Sequence, residues 1–475
     1  MKQIRKNIRR VAICLCALFI LLAGYGAYSI STYGNRWFAS SANRFARKQK
    51  NNVIAGDILD RNGVILATTV NGQRVYQSDP LTRKAVVHVI GDPASNVNNG
   101  AESFLGTYLY GFHMSFLERL GYALRGEMRQ GDDVRLTIDS RLAAYAASVF
   151  PADKAGAIVV MNYQTGEVIT QQSFPNFDPM NITGSVRNDP KKPFYNRAIQ
   201  GLYTPGSTFK IITAASALEN FNDVQESSFQ CAGTLQLGER IITDAGTDLM
   251  AGKITQHGQL NLKRAFQVSC NNTFAQLALL LGDQSLRKTA ENFGFNDNFL
   301  FKDIVVENSS YPVTNRNEGE IAWTGAGQSA LTASPLHMCM IASAVANDGI
   351  MMEPRMVISA VSQTGSTHAE FTSKVYRKAM SADHAAVLQD YMRTVVTNGT
   401  GTAAAIPGVQ VCGKTGSAEM DTQENTNAWF VGYLDEADSP YAIAIVVEDA
   451  GGGGSIAAPI AKEIFTWMLQ NGYAD

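Results

Sequence analysis

The stretch Tyr-Thr-Pro-Gly-Ser-Thr-Phe-Lys at residues 203–210 decides how this sequence is interpreted. Pro205-Gly206 predicts a turn, and the small and apolar residues 208–219 predict a helix. Ser207 would then lie at a helix N-terminus, where backbone N–H groups and the helix dipole favour negative charge. Lys210 follows on the same helix face, and burial would lower its pKa, so the pair predicts a nucleophile beside a base. The alternative is an ordinary N-cap serine with an exposed lysine.

Composition limits the classes of function that fit the chain. It has 475 residues, 45% of them hydrophobic, and a net charge of -2, which fits two or three folded domains. No long basic run follows the first ten residues, so we do not expect a nucleic-acid partner. The six cysteines and six histidines lack metal-binding spacings, so we predict no metal site and no cofactor. Pairing of Cys231 with Cys270 stays open.

The N-terminus predicts a membrane anchor. Residues 1–10 carry lysines and arginines but no acid, and residues 11–30 are uncharged and mostly apolar, a length that spans a bilayer as a helix. The excess of positive charge predicts a cytoplasmic tail at 1–10, a transmembrane anchor at 11–30 and an extracytoplasmic remainder. A cleaved signal peptide is the alternative.

Two regions follow the anchor. Residues 31–150 combine short strand-like runs, a hairpin-like turn at 60–63 and a predicted helix at 114–124, and this region has no catalytic spacing. Ser140 is predicted to cap a helix over 141–150. Residues 151–475 begin with a hairpin, continue with helices and end with strands, which predicts an α+β domain whose antiparallel sheet is built from both ends of the domain. The strands predicted for it are 155–162, 167–170, 409–417, 428–434 and 441–448, and a closing helix is predicted at 457–469.

Two further motifs follow Ser207. Ser269-Cys270-Asn271 lies at a break between apolar helical segments, where a helix cap is the structural alternative. Lys414-Thr415-Gly416-Ser417 lies on a predicted strand, and its glycine would leave room for a ligand alongside the strand. An exposed edge strand with a solvated lysine is the alternative here.

S-x-x-K, S-x-N and K-T-G in this order are the motif set of β-lactamases and penicillin-binding proteins. With its predicted anchor, the chain resembles a class B penicillin-binding protein, a membrane-anchored peptidoglycan D,D-transpeptidase. The resemblance implies the penicillin-binding transpeptidase fold, with a helical subdomain, and a smaller β-rich N-terminal module of the dimerisation or pedestal type. Ala55 departs from the family, which commonly has arginine there. Other similar stretches are 56–63, 174–179, 196–198, 325–328, 334–336, 429–432 and 457–459.

The resemblance also implies a role for each motif residue. Ser207 would attack the carbonyl of the penultimate D-Ala of a stem pentapeptide, with Lys210 as its base, although the proton acceptor is disputed for these enzymes. Ser269 would pass a proton to the leaving amine, and Asn271 would bind a substrate amide and order Lys210. The third motif would bind the terminal carboxylate: Lys414 through its charge, which would also lower the pKa of Lys210, and Thr415, Gly416 and Ser417 through their hydroxyls and backbone. The N–H groups of Ser207 and Ser417 would form the oxyanion hole.

The resemblance implies peptidoglycan stem peptides and β-lactams as ligands, and a SEDS-type glycan polymerase as a partner that contacts the anchor and residues 31–150. Three alternatives remain. A β-lactam hydrolase or sensor would usually have a hydrophobic residue in place of Asn271. A D,D-carboxypeptidase would use water as the acceptor. The chain could also act as a scaffold that activates a polymerase.

Overall fold

The computed structural model begins with one long helix, α1 (Lys2–Ala39). Its stretch Gln3–Ile30 has 28 residues and a mean hydropathy of 2.2, and it is the one helix in the described part of the chain that is long and apolar enough to cross a membrane. It contains the predicted segment 11–30. The structure describes residues 2–39, 53–97, 99–312, 317–418 and 426–473.

The region before residue 150 mixes short strands with short helices. The predicted helix at 114–124 is α6, which begins at Phe116 because Ser115 and Glu118 form a capping box. The sequence predicted that Ser140 caps α7, and this prediction is wrong. Asp139 accepts the free N–H groups instead, and Ser140 Oγ donates to Asp60 Oδ2 at 2.7 Å. The elements are β1 (Val53–Ile54), β2 (Ile58–Leu59), β3 (Ile65–Val70), β4 (Gln73–Tyr76), α2 (Pro80–Ala85), α3 (Val87–Ile90), α4 (Ala101–Phe104), α5 (Gly106–Leu109), α6 (Phe116–Arg125), β5 (Arg129–Gln130), β6 (Asp133–Leu136) and α7 (Ser140–Val149).

The region after residue 150 contains the larger sheet and the longer helices. Two 3₁₀ turns, Gly206–Phe209 and Thr402–Ala404, precede α10 and β17. The elements are β7 (Gly156–Asn162), β8 (Val168–Phe174), α8 (Gly184–Arg187), α9 (Arg197–Gln200), α10 (Lys210–Asn220), β9 (Ser228–Cys231), β10 (Thr234–Leu237), β11 (Arg240–Thr243), β12 (Gly258–Asn261), α11 (Leu262–Gln267), α12 (Asn271–Asn292), α13 (Glu318–Gly325), α14 (Pro335–Ala346), β13 (Ile350–Met352), β14 (Val357–Val361), β15 (Thr367–Glu370), β16 (Val375–Lys378), α15 (Ala382–Asn398), β17 (Val411–Ala418), β18 (Asn427–Leu434), β19 (Tyr441–Val447) and α16 (Ala457–Gln470).

A five-stranded antiparallel sheet joins the two ends of this region. Its order is β17-β18-β19-β7-β8, which confirms the predicted α+β fold with a sheet built from both ends. Side chains alternate between its two faces: Ile158 and Val160 pack with α7 and α16, whereas Ala157 and Val159 belong to the core that contains α14. Because both faces are covered, the strands are almost continuously apolar.

The helical subdomain packs beside this sheet. Nearly all of α10 is buried, and α12 and α13 approach closely at Gly325. A Cβ at Gly325 would lie 2.3 Å from the Cβ of Ala278, so only glycine fits at this crossing. The start of α10 and the start of α12, where two of the three motifs lie, both belong to this subdomain.

A second sheet is shared between the two regions. Its six strands have the order β15-β14-β6-β2-β3-β4, with β2 and β6 parallel and the other neighbours antiparallel. The strands β14 and β15 come from beyond residue 350. The division into 31–150 and 151–475 stays a prediction, and the hairpin β14-β15 physically links the two sides of it.

Candidate active site

Ser207 lies in the 3₁₀ turn that leads into α10, so the predicted helix N-terminus is a tighter turn and the α-helix begins at Lys210. Thr208 Oγ1 donates to the carbonyl oxygen of Pro205 at 2.6 Å and fixes the turn. Gly206 has a φ of 56°, and a Cβ there would lie 2.9 Å from the carbonyl oxygen of Ser417. Glycine therefore allows the Ser207 turn to touch the K-T-G strand.

Lys210 is buried beneath Ser207. Its Nζ lies 3.0 Å from Ser207 Oγ, 3.1 Å from Ser269 Oγ, 2.7 Å from the Ser269 carbonyl oxygen and 2.6 Å from Asn271 Oδ1. Burial lowers the pKa of Lys210 to about 8, and the nearby Cys270 and Asp244 oppose that shift. The neutral amine is therefore accessible close to neutral pH.

The hydrogen bonds of Lys210 also set the direction of its lone pair. The Ser269 carbonyl and Asn271 Oδ1 can only accept, so they occupy both protons of a neutral amine. The nitrogen lone pair is then left for the Ser207 hydroxyl. The geometry suits removal of the Ser207 proton by Lys210.

Lys414 is fully buried on the other side of Ser269. Its Nζ donates to Ser269 Oγ at 2.8 Å and to the Thr415 carbonyl at 3.0 Å. Burial, and then the positive charge of Lys210, lower the pKa of Lys414 well below its ordinary value. We had expected Lys414 to lower the pKa of Lys210. Burial lowers the pKa of Lys210, as predicted, and Lys414 is not among the causes; the repulsion between the two lysines lowers the pKa of Lys414.

The S-x-N motif forms the turn between α11 and α12. Ser269 has a φ of 61°, a left-handed conformation that few non-glycine residues adopt. Asn271 begins α12, and its Nδ2 donates to the carbonyl oxygen of Thr243 at 2.8 Å. That bond turns Asn271 Oδ1 towards Lys210, so the expected ordering of Lys210 by Asn271 has a geometric basis.

A buried carboxylate supports the S-x-N turn from behind. Asp244 Oδ1 accepts the backbone N–H of Asn271 at 2.5 Å, and its Oδ2 accepts the Cys231 thiol at 2.9 Å. Cys270 Sγ lies 3.6 Å from the same oxygen, and burial raises the pKa of this thiol to about 12. Both cysteines are free thiols. We call Cys231, Asp244, His257 and Cys270 the Asp244 pocket.

The K-T-G residues lie on β17. Thr415 Oγ1 lies 2.6 Å from Thr400 Oγ1, and Ser417 Oγ accepts the N–H of Gly453 at 3.3 Å. A Cβ at Gly416 would lie 3.0 Å from both the Pro205 carbonyl oxygen and Thr208 Cγ2. Glycine thus allows the strand to contact the Ser207 turn, and room for a ligand alongside the strand stays a prediction.

The predicted site residues meet in one cleft of about 600 Å³. Ser207, Ser269 and Asn271 line it beside Thr415, Gly416 and Ser417, and Lys210 and Lys414 lie beneath its floor. Sequence reasoning assigned no role to Trp323, Gln328 or Thr400, which also line it. Gln328, whose Nε2 donates to the Ser417 carbonyl at 3.3 Å, lies in the family-like stretch 325–328 and so had a signal. Thr400 had none.

Two clusters in the described part of the chain have the residue types to hold a metal ion. One is the Asp244 pocket, and the other consists of His113, Asp132 and His368. In each cluster the ligand atoms lie within 4.8 Å of one another. The absence of a metal site was inferred from spacing along the sequence, and that argument does not cover residues which folding brings together.

Comparison with known proteins places this geometry in a family. The family "Penicillin binding protein transpeptidase domain" matches residues 156–466, more than half of the chain. The chain is 31% identical over 383 residues to the peptidoglycan D,D-transpeptidase PbpA of Mycolicibacterium smegmatis, covering 75% of this chain and 76% of the relative. It is 28% identical to the peptidoglycan D,D-transpeptidase MrdA of Acinetobacter baumannii, over 75% of this chain and 56% of the relative.

Solved structures of similar proteins support the same family assignment. The imipenem acyl-enzyme complex of penicillin-binding protein A from M. tuberculosis has a TM-score of 0.77 and 27% identity, covering 89% of this chain and 100% of that one. The D,D-transpeptidase domain of a peptidoglycan glycosyltransferase from Eggerthella lenta has a TM-score of 0.76 and 30% identity, over 89% and 99% of the two chains. The predicted penicillin-binding fold is confirmed, and the chain belongs to the penicillin-binding protein transpeptidase family.

Proposed function

We propose that this protein is a membrane-anchored D,D-transpeptidase that cross-links peptidoglycan stem peptides through an acyl-enzyme on Ser207. One observation carries the proposal: the Nζ of Lys210 lies 3.0 Å from Ser207 Oγ at the floor of a cleft lined by all three motifs. The names of the relatives and the acyl-enzyme complex of the M. tuberculosis protein support this function.

The first step is attack of Ser207 Oγ on the carbonyl carbon of the penultimate D-Ala. Lys210 takes the hydroxyl proton as the C–O bond forms, which requires its neutral form. The backbone N–H groups of Ser207 and Ser417 would stabilise the negative charge on the carbonyl oxygen, an effect of about 3–4 kcal/mol in other acyl-transfer enzymes.

The second step is loss of the terminal D-Ala. The C–N bond breaks, and the leaving nitrogen needs a proton. Ser269 Oγ lies between the two lysines, 3.1 Å from Lys210 Nζ and 2.8 Å from Lys414 Nζ. It can therefore give its own proton to the amine and regain one from Lys210, so that the proton taken from Ser207 ends on D-Ala.

The third motif would hold the terminal carboxylate of the donor peptide. Thr415 and Ser417 present hydroxyls in the cleft, and the buried Lys414 would regain its charge when an anion arrives, since an opposite charge raises a lysine pKa. Gly416 keeps this strand against the Ser207 turn. Asn271 would bind a substrate amide through its side chain.

In the last step an amine from a second stem peptide attacks the Ser207 ester. A peptide bond forms, the ester C–O bond breaks, and a proton from the amine returns to Ser207 Oγ. In a β-lactam the broken C–N bond is part of a ring, so the leaving amine stays attached and hinders this attack. We therefore propose stable acylation of Ser207 by β-lactams.

The anchor completes the proposal. Helix α1 would span the membrane once through residues 11–30, with residues 1–10 in the cytoplasm, because lysine and arginine favour that side. A SEDS-type polymerase is the proposed partner, contacting α1 and the 31–150 module. Cleavage as a signal peptide remains the alternative for the helix.

Intact-mass analysis with benzylpenicillin tests the proposal. We expect one adduct on the full chain, none on Ser207→Ala, and an unchanged adduct on Ser366→Ala, which alters an exposed serine. A stem pentapeptide with an amine acceptor should then give a cross-linked product. An adduct that clears quickly would identify a hydrolase. Release of D-Ala without cross-linking would identify a carboxypeptidase. A folded chain that forms no adduct would contradict the proposal.

A further inference from the structure

A second cluster of ligand-type side chains lies outside the cleft, where nothing in the proposed reaction uses it. His113 follows α5, Asp132 precedes β6, and His368 lies on the edge strand β15. We call these three residues the His–Asp cluster. His113 and His368 are 255 positions apart in the sequence, so it is folding alone that brings them together.

The three side chains converge on one point. His113 Nε2 lies 2.9 Å from His368 Nδ1 and 3.2 Å from Asp132 Oδ2, and His368 Nδ1 lies 2.8 Å from that same oxygen. Zinc holds nitrogen and oxygen ligands at about 2.0–2.2 Å, which separates neighbouring tetrahedral ligands by about 3.3–3.6 Å. A small expansion of the cluster would admit the ion.

The hydrogen bonds around the cluster show which lone pairs face its centre. His113 Nδ1 lies 3.1 Å from the carbonyl oxygen of Thr107, which can only accept, so the proton of a neutral His113 is on Nδ1 and the Nε2 lone pair faces the cluster. Metal-binding histidines commonly donate their other N–H to a carbonyl in this way. Two neutral rings then share one proton, on His368 Nδ1, between His113 Nε2 and Asp132 Oδ2, and a metal ion would take the place of that proton.

The carboxylate is the second independent sign of a cation. The Asp132 side chain is fully buried, and its Oδ1 has no hydrogen-bond partner. A buried carboxylate with an unpaired oxygen is costly unless a positive charge compensates it. By contrast, Asp244 in the Asp244 pocket accepts bonds from N–H and thiol donors on both of its oxygens. Of the two clusters, the His–Asp cluster is thus the one in which a carboxylate oxygen lacks a hydrogen-bond donor.

The cluster is rigidly held yet open to solvent. The N–H of Asp132 donates to the Tyr108 carbonyl at 3.0 Å, and a Cβ on the preceding Gly131 would lie 1.9 Å from the Leu109 carbonyl oxygen. The side chain of His113 is 20% exposed to solvent, and that of His368 is 26% exposed. Three protein ligands with an open side leave a fourth position for water.

We propose that His113, Asp132 and His368 form a Zn²⁺ site that fastens the β14-β15 hairpin to the 31–150 module. Imidazole nitrogen with carboxylate oxygen suits zinc among the common divalent ions, whereas Mg²⁺ and Ca²⁺ favour oxygen ligands alone. The ion would link the two regions at the strand that joins them, away from the three motifs. The site would therefore act on how the regions are held together and not on acylation.

Zinc titration of the full chain in detergent, after removal of metals with a chelator, tests this site. We expect His113→Gln and His368→Gln each to bind one equivalent of Zn²⁺ fewer than the unaltered chain. His384→Gln, the same change on α15, should bind as the unaltered chain does. Equal binding by the unaltered chain and His368→Gln, or no binding by either, would overturn the proposal.

Two further readouts keep the test specific. Cobalt substitution separates the two clusters, because only the Asp244 pocket contains thiols that could give thiolate charge-transfer absorption. That absorption should survive His368→Gln if the pocket binds the ion. Zinc should slow hydrogen exchange of residues 357–370 in the unaltered chain and not in His368→Gln. Benzylpenicillin acylation of the variant at an unchanged rate shows that it is folded.

Discussion

The two sides of the S-x-N turn bury ionisable groups of opposite kinds and do different work. On the cleft side, Lys210 and Lys414 are buried amines whose hydrogen bonds all go to uncharged oxygens. On the other side, Asp244 is a buried carboxylate held by uncharged donors: N–H groups on one oxygen and the Cys231 thiol on the other. Burial without a negatively charged partner lowers the pKa of the two lysines and so makes them reactive. The Asp244 carboxylate accepts enough hydrogen bonds to support the S-x-N turn.

The comparison predicts that effects on acylation will be largest on the cleft side. Replacement of Lys210 by methionine should slow benzylpenicillin acylation by about 10³-fold, because a positioned general base contributes about 10²–10⁴. Stopped-flow fluorescence or gel-based labelling measures the rate. Lys263→Met is the matched control, since Lys263 is a half-exposed lysine that pairs with Asp390 on the surface. Similar rates for the two variants would remove Lys210 from the role of base.

Ser269→Ala should come next, with a loss of about 10²-fold in cross-linking of a pentapeptide donor. The change removes the hydroxyl between the two lysines and therefore the proton path to the leaving amine. Product formation by liquid chromatography measures it, with Ser228→Ala, on an exposed strand position, as control. An unimpaired Ser269→Ala enzyme would mean that the leaving amine is protonated by another route.

Asp244→Asn tests the supporting side. The amide cannot replace the charge that holds the Asn271 N–H and the Cys231 thiol, so the turn should loosen. We expect acylation to slow by about tenfold and the melting temperature to fall, as followed by labelling and by circular dichroism. Asp248→Asn, the same change at an exposed position four residues on, should alter neither quantity. A loss as large as that of Lys210→Met would erase the distinction between the two sides.

Cys231→Ala should have the smallest effect. It removes one donor to Asp244 while the N–H donors to the other oxygen remain. The free energy of unfolding should fall by about 1–2 kcal/mol, measured by denaturant titration, and the acylation rate should stay within about twofold of the unaltered value. A strong loss of acylation at constant stability would show that this thiol acts on the chemistry.

The sequence predicted the cleft side better than the supporting side, and the reason is physical. Ser207, Lys210, Ser269, Asn271 and Lys414 stand in short motifs whose order identifies a family, and the structure brings all five together. The sheet was predictable because its strands are apolar runs at both ends of one domain. These signals are local in the sequence.

The features that were missed depend on long-range contacts. Asp244 lies in a loop without periodicity, and only the fold places it behind Asn271. Strands β14 and β15 were not predicted, and nothing local indicates that they extend a sheet begun near residue 58. The wrong prediction of a cap at Ser140 has the same origin, because the Ser140 hydroxyl donates to Asp60, 80 positions earlier in the sequence.

The dependence of acylation on pH tests most directly whether buried Lys210 is the base for Ser207. The pKa of Lys210 is lowered to about 8, so its neutral form grows as the pH rises through that value. The acylation rate should rise about tenfold per pH unit below the pKa and level off above it, while Lys210→Met should lack this rise. A rate that does not change between about pH 6 and about pH 9, or the same profile in Lys210→Met, would contradict the account.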